Sequence, residues 1–217
     1  MVAEAPAPGQ RQDHPDLARL QARPRSVLAD AVAVVLDPTM TLFTGLLVTI
    51  LHGMWPHALA GLGWVALAAL FVVVSPLAVL EVCVRRGWVS DLQVVRREER
   101  VKPLGLVIAM VLLGLALLVG LQAPAVLLAF VTSVLVGLVA MTAISVRYKA
   151  SFHSGVLAAM GSVVAVEVGW WTVAVSLPLL GLLAWARWRA GRHSTGQVVV
   201  GALLCAVLVG GSFALLH

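Results

Sequence analysis

The stretch "LGLVIAMVLLGLALLVGLQAPAVLLAFVTSVLVGLVAMTAISV", residues 104–146, decides the fold of this chain. It holds two long apolar runs that are separated only by "QAP" at 122–124, and it contains no charged residue. The hydrocarbon core of a bilayer is about 30 Å thick, and an α-helix needs about 20 apolar residues to cross it. The stretch therefore predicts two membrane-spanning helices joined by a short turn.

The rest of the chain repeats this pattern. Of its 217 residues, 61% are hydrophobic and 12% are charged, whereas soluble domains carry about 25% charged residues. Further apolar runs cover 27–52, 57–84, 154–186 and 197–216. The third is too long for one helix and short for two, and we divide it at Val168-Gly169 into two spans that include a few flanking residues. We therefore expect an all-α polytopic transmembrane helix bundle of six or seven spans.

The first apolar run leaves two alternatives open. It contains Asp37-Pro38, so it forms either one kinked span or a short interfacial helix followed by a span. A carboxylate within an apolar run is costly unless it is satisfied, which makes Asp37 either a functional residue or a helix cap at the interface.

Composition also predicts the domain organisation. Residues 1–26 are rich in Pro, Ala, Gln and Arg and have no apolar run, so we expect a disordered basic tail, followed by one transmembrane domain over 27–217. Cys83 and Cys205 lie inside apolar runs, which predicts buried small side chains and no disulfide. No carboxylate cluster or Cys/His ligand set indicates a metal, and we expect no cofactor.

The basic residues predict the orientation. The chain has 15 Lys and Arg residues, and with seven crossings all of them fall on one face of the membrane. An excess of Lys and Arg is typical of the cytoplasmic face, so we expect a multi-pass protein of the cell membrane with its tail and basic loops in the cytoplasm. Because these residues lie at the ends of apolar runs, they favour the bilayer over nucleic acid as a partner.

Three polar segments would meet at this face: "RREERVKP" (96–103), "KASFHS" (149–154) and "ARWRAGRHSTGQ" (186–197). Guanidinium groups bind phosphate oxygens in pairs, and imidazoles can act as nucleophile or acid in phosphoryl transfer. The segments thus predict a phosphate site built from cations and two imidazoles. Its candidate residues are Arg96, Arg97, Arg100, Lys102, Lys149, Arg187, Arg189, Arg192, His153 and His193.

Two local patterns support such a site. Gln197 follows His193 by four residues, one helical turn, so its side chain can reach back to a ring nitrogen if the last helix begins between them. Ser194 is suited to cap that helix. Ser151 and Ser154 similarly precede the fifth span, where a helix N-terminus would offer N–H groups to phosphate.

The three segments resemble the three motifs of the type 2 phosphatidic acid phosphatase and vanadium haloperoxidase superfamily. That family's pattern is Lys-x6-Arg-Pro, Pro-Ser-Gly-His and Ser-Arg-x5-His-x3-Asp. The third segment matches in spacing through Arg187, His193 and Gln197. The second keeps Ser151 and His153, with Ala and Phe where the family has Pro and Gly.

The first motif matches most loosely. Lys102-Pro103 stands for Arg-Pro, and the distant Lys position is Val95, so one of Arg96, Arg97 and Arg100 would replace it. The resemblance covers residues 50–216, and it rests on the order, spacing and shared face of the segments.

The resemblance implies a role for each residue. His193 would be the nucleophile that forms a phosphohistidine, and His153 the acid that protonates the leaving group. Ser151 would donate a hydrogen bond to the phosphate. Gln197 stands where the family has Asp and can orient His193, although it brings no negative charge. The remaining phosphate-binding residues would be Arg187, Lys102, Arg100, Arg97, Arg96 and Lys149.

We therefore expect a metal-independent phosphatase that acts on a lipid phosphate or diphosphate, either polyprenyl or phosphatidate-like. One alternative is a phosphoryl or head-group transferase, or an enzyme of terpenyl diphosphates, on the same fold. Another is a non-catalytic membrane protein that binds anionic lipid, in which the arginines form only the basic collar that follows many membrane helices. The sequence leaves the oligomeric state open.

Overall fold

The computed structural model describes residues 26–90, 99 and 101–217, and in this part of the chain all regular structure is helical. The expectation of an all-α transmembrane bundle is confirmed. The predicted disordered tail lies outside the described residues except for Ser26, which caps the first helix by accepting a hydrogen bond from the Ala29 N–H. The helical elements are α1 (Val27–Val35), α2 (Pro38–Gly53), α3 (Ala58–Ala69), a π-helical segment π1 (Leu70–Val74), α4 (Ser75–Arg85), α5 (Val101–Gly120), α6 (Ala125–Ser145), α7 (Phe152–Glu167), a 3₁₀ turn (Trp170–Thr172), α8 (Val173–Arg189), α9 (Thr195–Cys205), a second π-helical segment π2 (Ala206–Gly210) and α10 (Gly211–Leu216).

Within the described residues, six helical segments are long and apolar enough to cross a membrane. Large apolar side chains such as Leu113, Val119 and Leu182 are exposed on them, as expected for a surface that faces lipid. The protein is therefore a multi-pass membrane protein. The six segments are Val27–Gly53, Ala58–Arg85, Val101–Gly120, Ala125–Ser145, Trp170–Arg189 and Thr195–Leu216.

The first of these segments is divided at Asp37. α1 ends before Leu36, and Asp37 adopts an extended backbone and caps α2 by accepting a hydrogen bond from the Thr39 N–H at 2.9 Å. Pro38 occupies the first position of α2, where its missing N–H is not needed. The helix-cap alternative for Asp37 is thus correct, and α1 packs against α8.

α7 is the central helix. With 16 residues it is shorter than the six spans, and it packs against α2, α8, α9 and π2. Its first turn lies near Asp37 at the start of α2, and its last residue, Glu167, contacts His52 at the end of α2. α2 and α7 therefore run in the same direction through the bundle. Cys83 and Cys205 are buried free thiols, as expected.

Candidate active site

The turn between α8 and α9 determines where the residues of the third segment lie. Gly191 has a φ of +66°, a conformation that glycine adopts at little cost. The Arg192 N–H donates to the Arg187 carbonyl at 3.2 Å, and the Gly191 N–H donates to the Trp188 carbonyl at 3.0 Å. This is the Schellman arrangement that ends a helix. It reverses the chain at once, so that His193 follows directly at the start of the next helix.

A capping box at the start of α9 fixes the ring of His193. Ser194 is the N-cap and its hydroxyl accepts a hydrogen bond from the Gln197 N–H, while the Gln197 side-chain oxygen accepts one from the Ser194 N–H at 3.2 Å. The same oxygen lies 3.2 Å from Nδ1 of His193. Because an amide oxygen only accepts, this contact requires a proton on Nδ1. The predicted contact between Gln197 and His193 is confirmed.

The second segment begins α7. Ser151 is the N-cap, as predicted, and His153 lies in the first turn. The Ser151 N–H donates to the Gln197 carbonyl at 3.0 Å, and the Ser154 hydroxyl donates to the carbonyls of Ser151 and Val198 at 3.1 and 3.0 Å. These bonds join the start of α7 to the start of α9. The second and third segments therefore meet at one end of the bundle.

Gly201 permits this close approach. A Cβ atom added to Gly201 would lie 2.5 Å from the Ser151 carbonyl oxygen, a distance that no real side chain tolerates without a backbone shift. The helices thus contact through main-chain atoms, as small residues allow in membrane bundles.

His153 is buried in a positively charged surrounding. Its side chain is 8% exposed, and its Nε2 has no hydrogen-bond partner among the described residues. The nearest carboxylate oxygen is Oδ2 of Asp37, 3.8 Å from Nε2. Burial, together with the charges of Arg187 and Arg192, lowers the pKa of His153 to about 3. The imidazole of the protein alone is therefore neutral near pH 7.

The predicted phosphate-binding cations differ in their placement. Arg187 is buried at the end of α8, and Lys149 is half-buried just before α7. Lys102 is exposed in the first turn of α5. The three arginines of the first segment lie outside the described residues: Arg96, Arg97 and Arg100.

An apolar cavity of about 200 Å³ lies beside the starts of α2 and α7. It is lined by Pro38 and Thr39, next to Asp37, and by Phe152, next to His153. It continues between the helices past residues of both π segments, which also belong to its lining: Val72, Val73 and Val209. π-Helical turns are uncommon and often occur at functional sites.

The opposite end of the bundle carries a cluster that the sequence analysis missed. Glu167 is the last residue of α7, and its side chain is only 3% exposed. One carboxylate oxygen lies 2.9 Å from Nδ1 of His52, and the other lies 2.9 Å from Nε2 of His217. The predicted spans already put His52, Glu167 and His217 at the same end of the bundle, because the spans that these residues end all cross in the same direction. Within the described residues, no group of three His, Cys, Asp or Glu side chains is arranged to hold a metal ion.

Comparisons with protein-family models, curated proteins and solved structures give no match for this chain. The functional conclusion therefore depends on the geometry of the site.

Proposed function

We propose that the protein is an integral membrane phosphatase, which removes phosphate from a lipid phosphate or diphosphate through a phosphohistidine intermediate. The observation that carries this proposal is the orientation of His193. Its Nδ1 lies 3.2 Å from the Gln197 amide oxygen, a contact that would make Nε2 the attacking nitrogen. A second imidazole, that of His153, and the Arg187 guanidinium lie at the same end of the bundle.

In the first step, Nε2 of His193 attacks phosphorus and an N–P bond forms. The bond between phosphorus and the leaving oxygen breaks, and that oxygen takes a proton from His153. Arg187 and Lys149 would balance the charge on the transferring group, and the Ser151 hydroxyl would add a hydrogen bond. Lys102 and the arginines of the first segment are expected to complete the phosphate site: Arg96, Arg97 and Arg100.

In the second step, water attacks the phosphohistidine. The N–P bond breaks, its electron pair returns to His193, and the proton of the water goes to His153. Inorganic phosphate leaves. Both steps balance without a metal ion or a cofactor.

The apolar cavity supports a lipid substrate. It is bordered by Phe152 of the second segment and by Pro38 at the start of α2, and it extends between the helices, so an acyl or prenyl tail could occupy it while the phosphate binds at the polar end. Among phosphorylated lipids, polyprenyl and phosphatidate-like compounds meet this requirement. We further propose that the protein lies in the cell membrane with the site at the cytoplasmic face, because seven crossings of the sequence would put the Lys and Arg residues of the loops and of the tail on one side, and such an excess is typical of the cytoplasm.

Phosphate release by the purified protein in detergent tests the proposal. A panel should include a phosphatidate, a polyprenyl phosphate and a polyprenyl diphosphate, each assayed with and without EDTA and vanadate. We expect release that persists in EDTA, stops with vanadate and disappears in His193→Ala. His57→Ala is the matched control, because His57 is an exposed histidine at the other end of the bundle and should not affect release.

Labelling identifies the intermediate. Substrate with ³²P in the phosphate should leave an acid-labile, alkali-stable phosphoryl group on the wild-type chain and none on His193→Ala. Release that continues at the wild-type rate in His193→Ala would remove this residue from the nucleophile role. Absence of release across the panel would instead favour a protein that binds anionic lipid without catalysis.

The transferase alternative is favoured by one observation. Gln197 replaces the carboxylate of the family pattern and brings no negative charge to the phosphorylated His193. A neutral environment would slow hydrolysis and leave time for another acceptor. Addition of an acceptor alcohol such as glycerol during phosphate release tests this, since a transferase would give a new phosphate ester at the expense of inorganic phosphate.

A further inference from the structure

The proposed acid, His153, raises a physical difficulty. A general acid must carry a proton when the leaving group departs, yet burial and two arginines hold the pKa of His153 at about 3 in the protein alone. The bound phosphate supplies negative charge, but Arg187 and the other cations of the site partly neutralise it. A further negative charge close to the ring is needed.

Asp37 is placed to supply that charge. Its Oδ1 accepts the Thr39 N–H as a helix cap, and its Oδ2 lies 3.8 Å from Nε2 of His153. This is an ion-pair distance, too long for a hydrogen bond. Nε2 itself is buried and has no hydrogen-bond partner among the described residues. The cap fixes the carboxylate on the start of α2, so it faces the ring without depending on a flexible loop.

The other charged groups around His153 have the opposite sign. From α8 comes Arg187 and from the following turn Arg192, and both disfavour a protonated ring. In the proposed mechanism His193 acts as a nucleophile and brings no negative charge. Asp37 on α2 is therefore the negative group that the described residues bring to this ring.

We propose that Asp37 is the positioning and charge partner of His153, which favours the protonated imidazole when a phosphate ester is bound. This inference rests on the proposed phosphatase function. Asp37 touches neither the phosphorus nor the leaving oxygen; it acts through His153.

The Asp37→Asn variant removes the negative charge of this side chain but keeps the helix cap. Asn caps helices as well as Asp does, so Asp37→Asn should fold and retain the thermal stability of the wild type. We expect kcat on a lipid phosphate to fall about tenfold to a hundredfold, less than the hundredfold to ten-thousandfold contribution of a general acid, because His153 itself remains. KM should change little, because the phosphate-binding cations remain, and Asp37→Glu should restore part of kcat.

Two measurements show whether Asp37 affects the protonation of His153. Removing a negative charge beside His153 disfavours its protonated form, so the alkaline limb of the kcat–pH profile should move to lower pH by about one unit. A substrate with a good leaving group, p-nitrophenyl phosphate, needs no proton on its leaving oxygen, so Asp37→Asn should lose little activity on it. Asp30→Asn is the matched control: it removes an exposed carboxylate of α1 and should leave both readouts unchanged.

The outcomes are distinct. If the wild type releases phosphate and Asp37→Asn behaves like Asp30→Asn on every substrate and at every pH, the role of Asp37 is wrong and the phosphatase stands. If Asp37→Asn loses equal activity on lipid phosphate and p-nitrophenyl phosphate without a shift of the profile, Asp37 is only structural. If the wild type releases no phosphate, both proposals are overturned.

Discussion

Nδ1 of His193 lies 3.2 Å from the side-chain oxygen of Gln197, and the same oxygen accepts the Ser194 N–H of a helix capping box. One amide thus fixes the tautomer of an imidazole and satisfies the start of a helix. A glutamine is suited to both tasks, because Glu and Gln are the residues that complete a capping box. This dual use links the orientation of His193 to the start of α9.

Substitution at Gln197 separates charge from geometry. Gln197→Glu retains the capping box and adds a negative charge beside Nδ1, which stabilises the imidazolium formed during phosphoryl transfer. We expect kcat for phosphate release to rise about tenfold or more. Gln197→Leu removes both hydrogen bonds, so kcat should fall about a hundredfold and stability by about 1 kcal/mol. A Gln197→Leu variant with wild-type kcat would show that this amide does not orient His193.

The contact between α7 and α9 predicts a steric effect at Gly201. In Gly201→Ala the new Cβ would lie 2.5 Å from the Ser151 carbonyl oxygen, so the two helices must separate. We expect a loss of about 1–3 kcal/mol in stability and lower phosphate release, measured by thermal unfolding in detergent and by the assay above. Gly181→Ala is the control, because a Cβ there meets open space. Equal melting temperatures for the two variants would exclude the close approach.

The buried His153 predicts a pH dependence of stability. Its pKa is lowered from 6.5 to about 3 in the folded protein, so the unfolded chain binds more protons between these values. The contribution of this group is fully present above pH 6.5 and is lost as pH falls, by up to about 1.4 kcal/mol per pH unit. Melting temperatures from pH 7 to pH 4 should therefore fall less steeply in His153→Gln than in the wild type. His57→Gln should follow the wild type, and a parallel course for all three would mean that His153 titrates normally.

The cluster at the other end of the bundle predicts a structural role for Glu167. In Glu167→Gln at least one of the two histidine contacts is lost in a buried setting, which should reduce stability by about 1–3 kcal/mol. kcat and KM at low temperature should remain near wild type, because α7 separates this cluster from His153 by about 21 Å. Glu81→Gln is the control, since the pair of Glu81 with Arg85 is exposed and should contribute less than about 1 kcal/mol. A large fall in kcat in Glu167→Gln at full stability would contradict this purely structural role.

Accessibility of single cysteines tests the orientation. In a background with Cys83 and Cys205 replaced by serine or alanine, Thr195→Cys marks the site end and Trp170→Cys the opposite end; both positions are exposed. A membrane-impermeant maleimide added to intact cells should label position 170 and not position 195. The reverse result would put the site on the outer face, and labelling of both positions from outside would contradict the transmembrane path.

The helices were largely predictable because a bilayer constrains length and hydrophobicity together. The division of the run 154–186 at Val168-Gly169 was predicted correctly, since α7 ends at Glu167 and Gly169 has a positive φ of +136°. The link between Gln197 and His193 was predictable from a four-residue spacing alone. In each case the decisive interaction is local in sequence.

Contacts between distant helices could not be predicted in the same way. The approach of Asp37 to His153 depends on how α2 packs against α7, and the environment of Glu167 depends on the ends of three helices. The spacing of residues along the chain does not determine these distances. Asp37 was therefore recognised only as a cap or an unassigned functional residue, and the contacts of Glu167 with the two histidines were not predicted.

The bond from the Ser151 N–H to the Gln197 carbonyl has a consequence for how a substrate enters. Because the start of α7 and the start of α9 are joined through their main chains, a lipid could enter between these helices only if that hydrogen bond were broken. If the substrate is a lipid phosphate, it would enter instead on the other side of α7, where Pro38 and Phe152 border the apolar cavity.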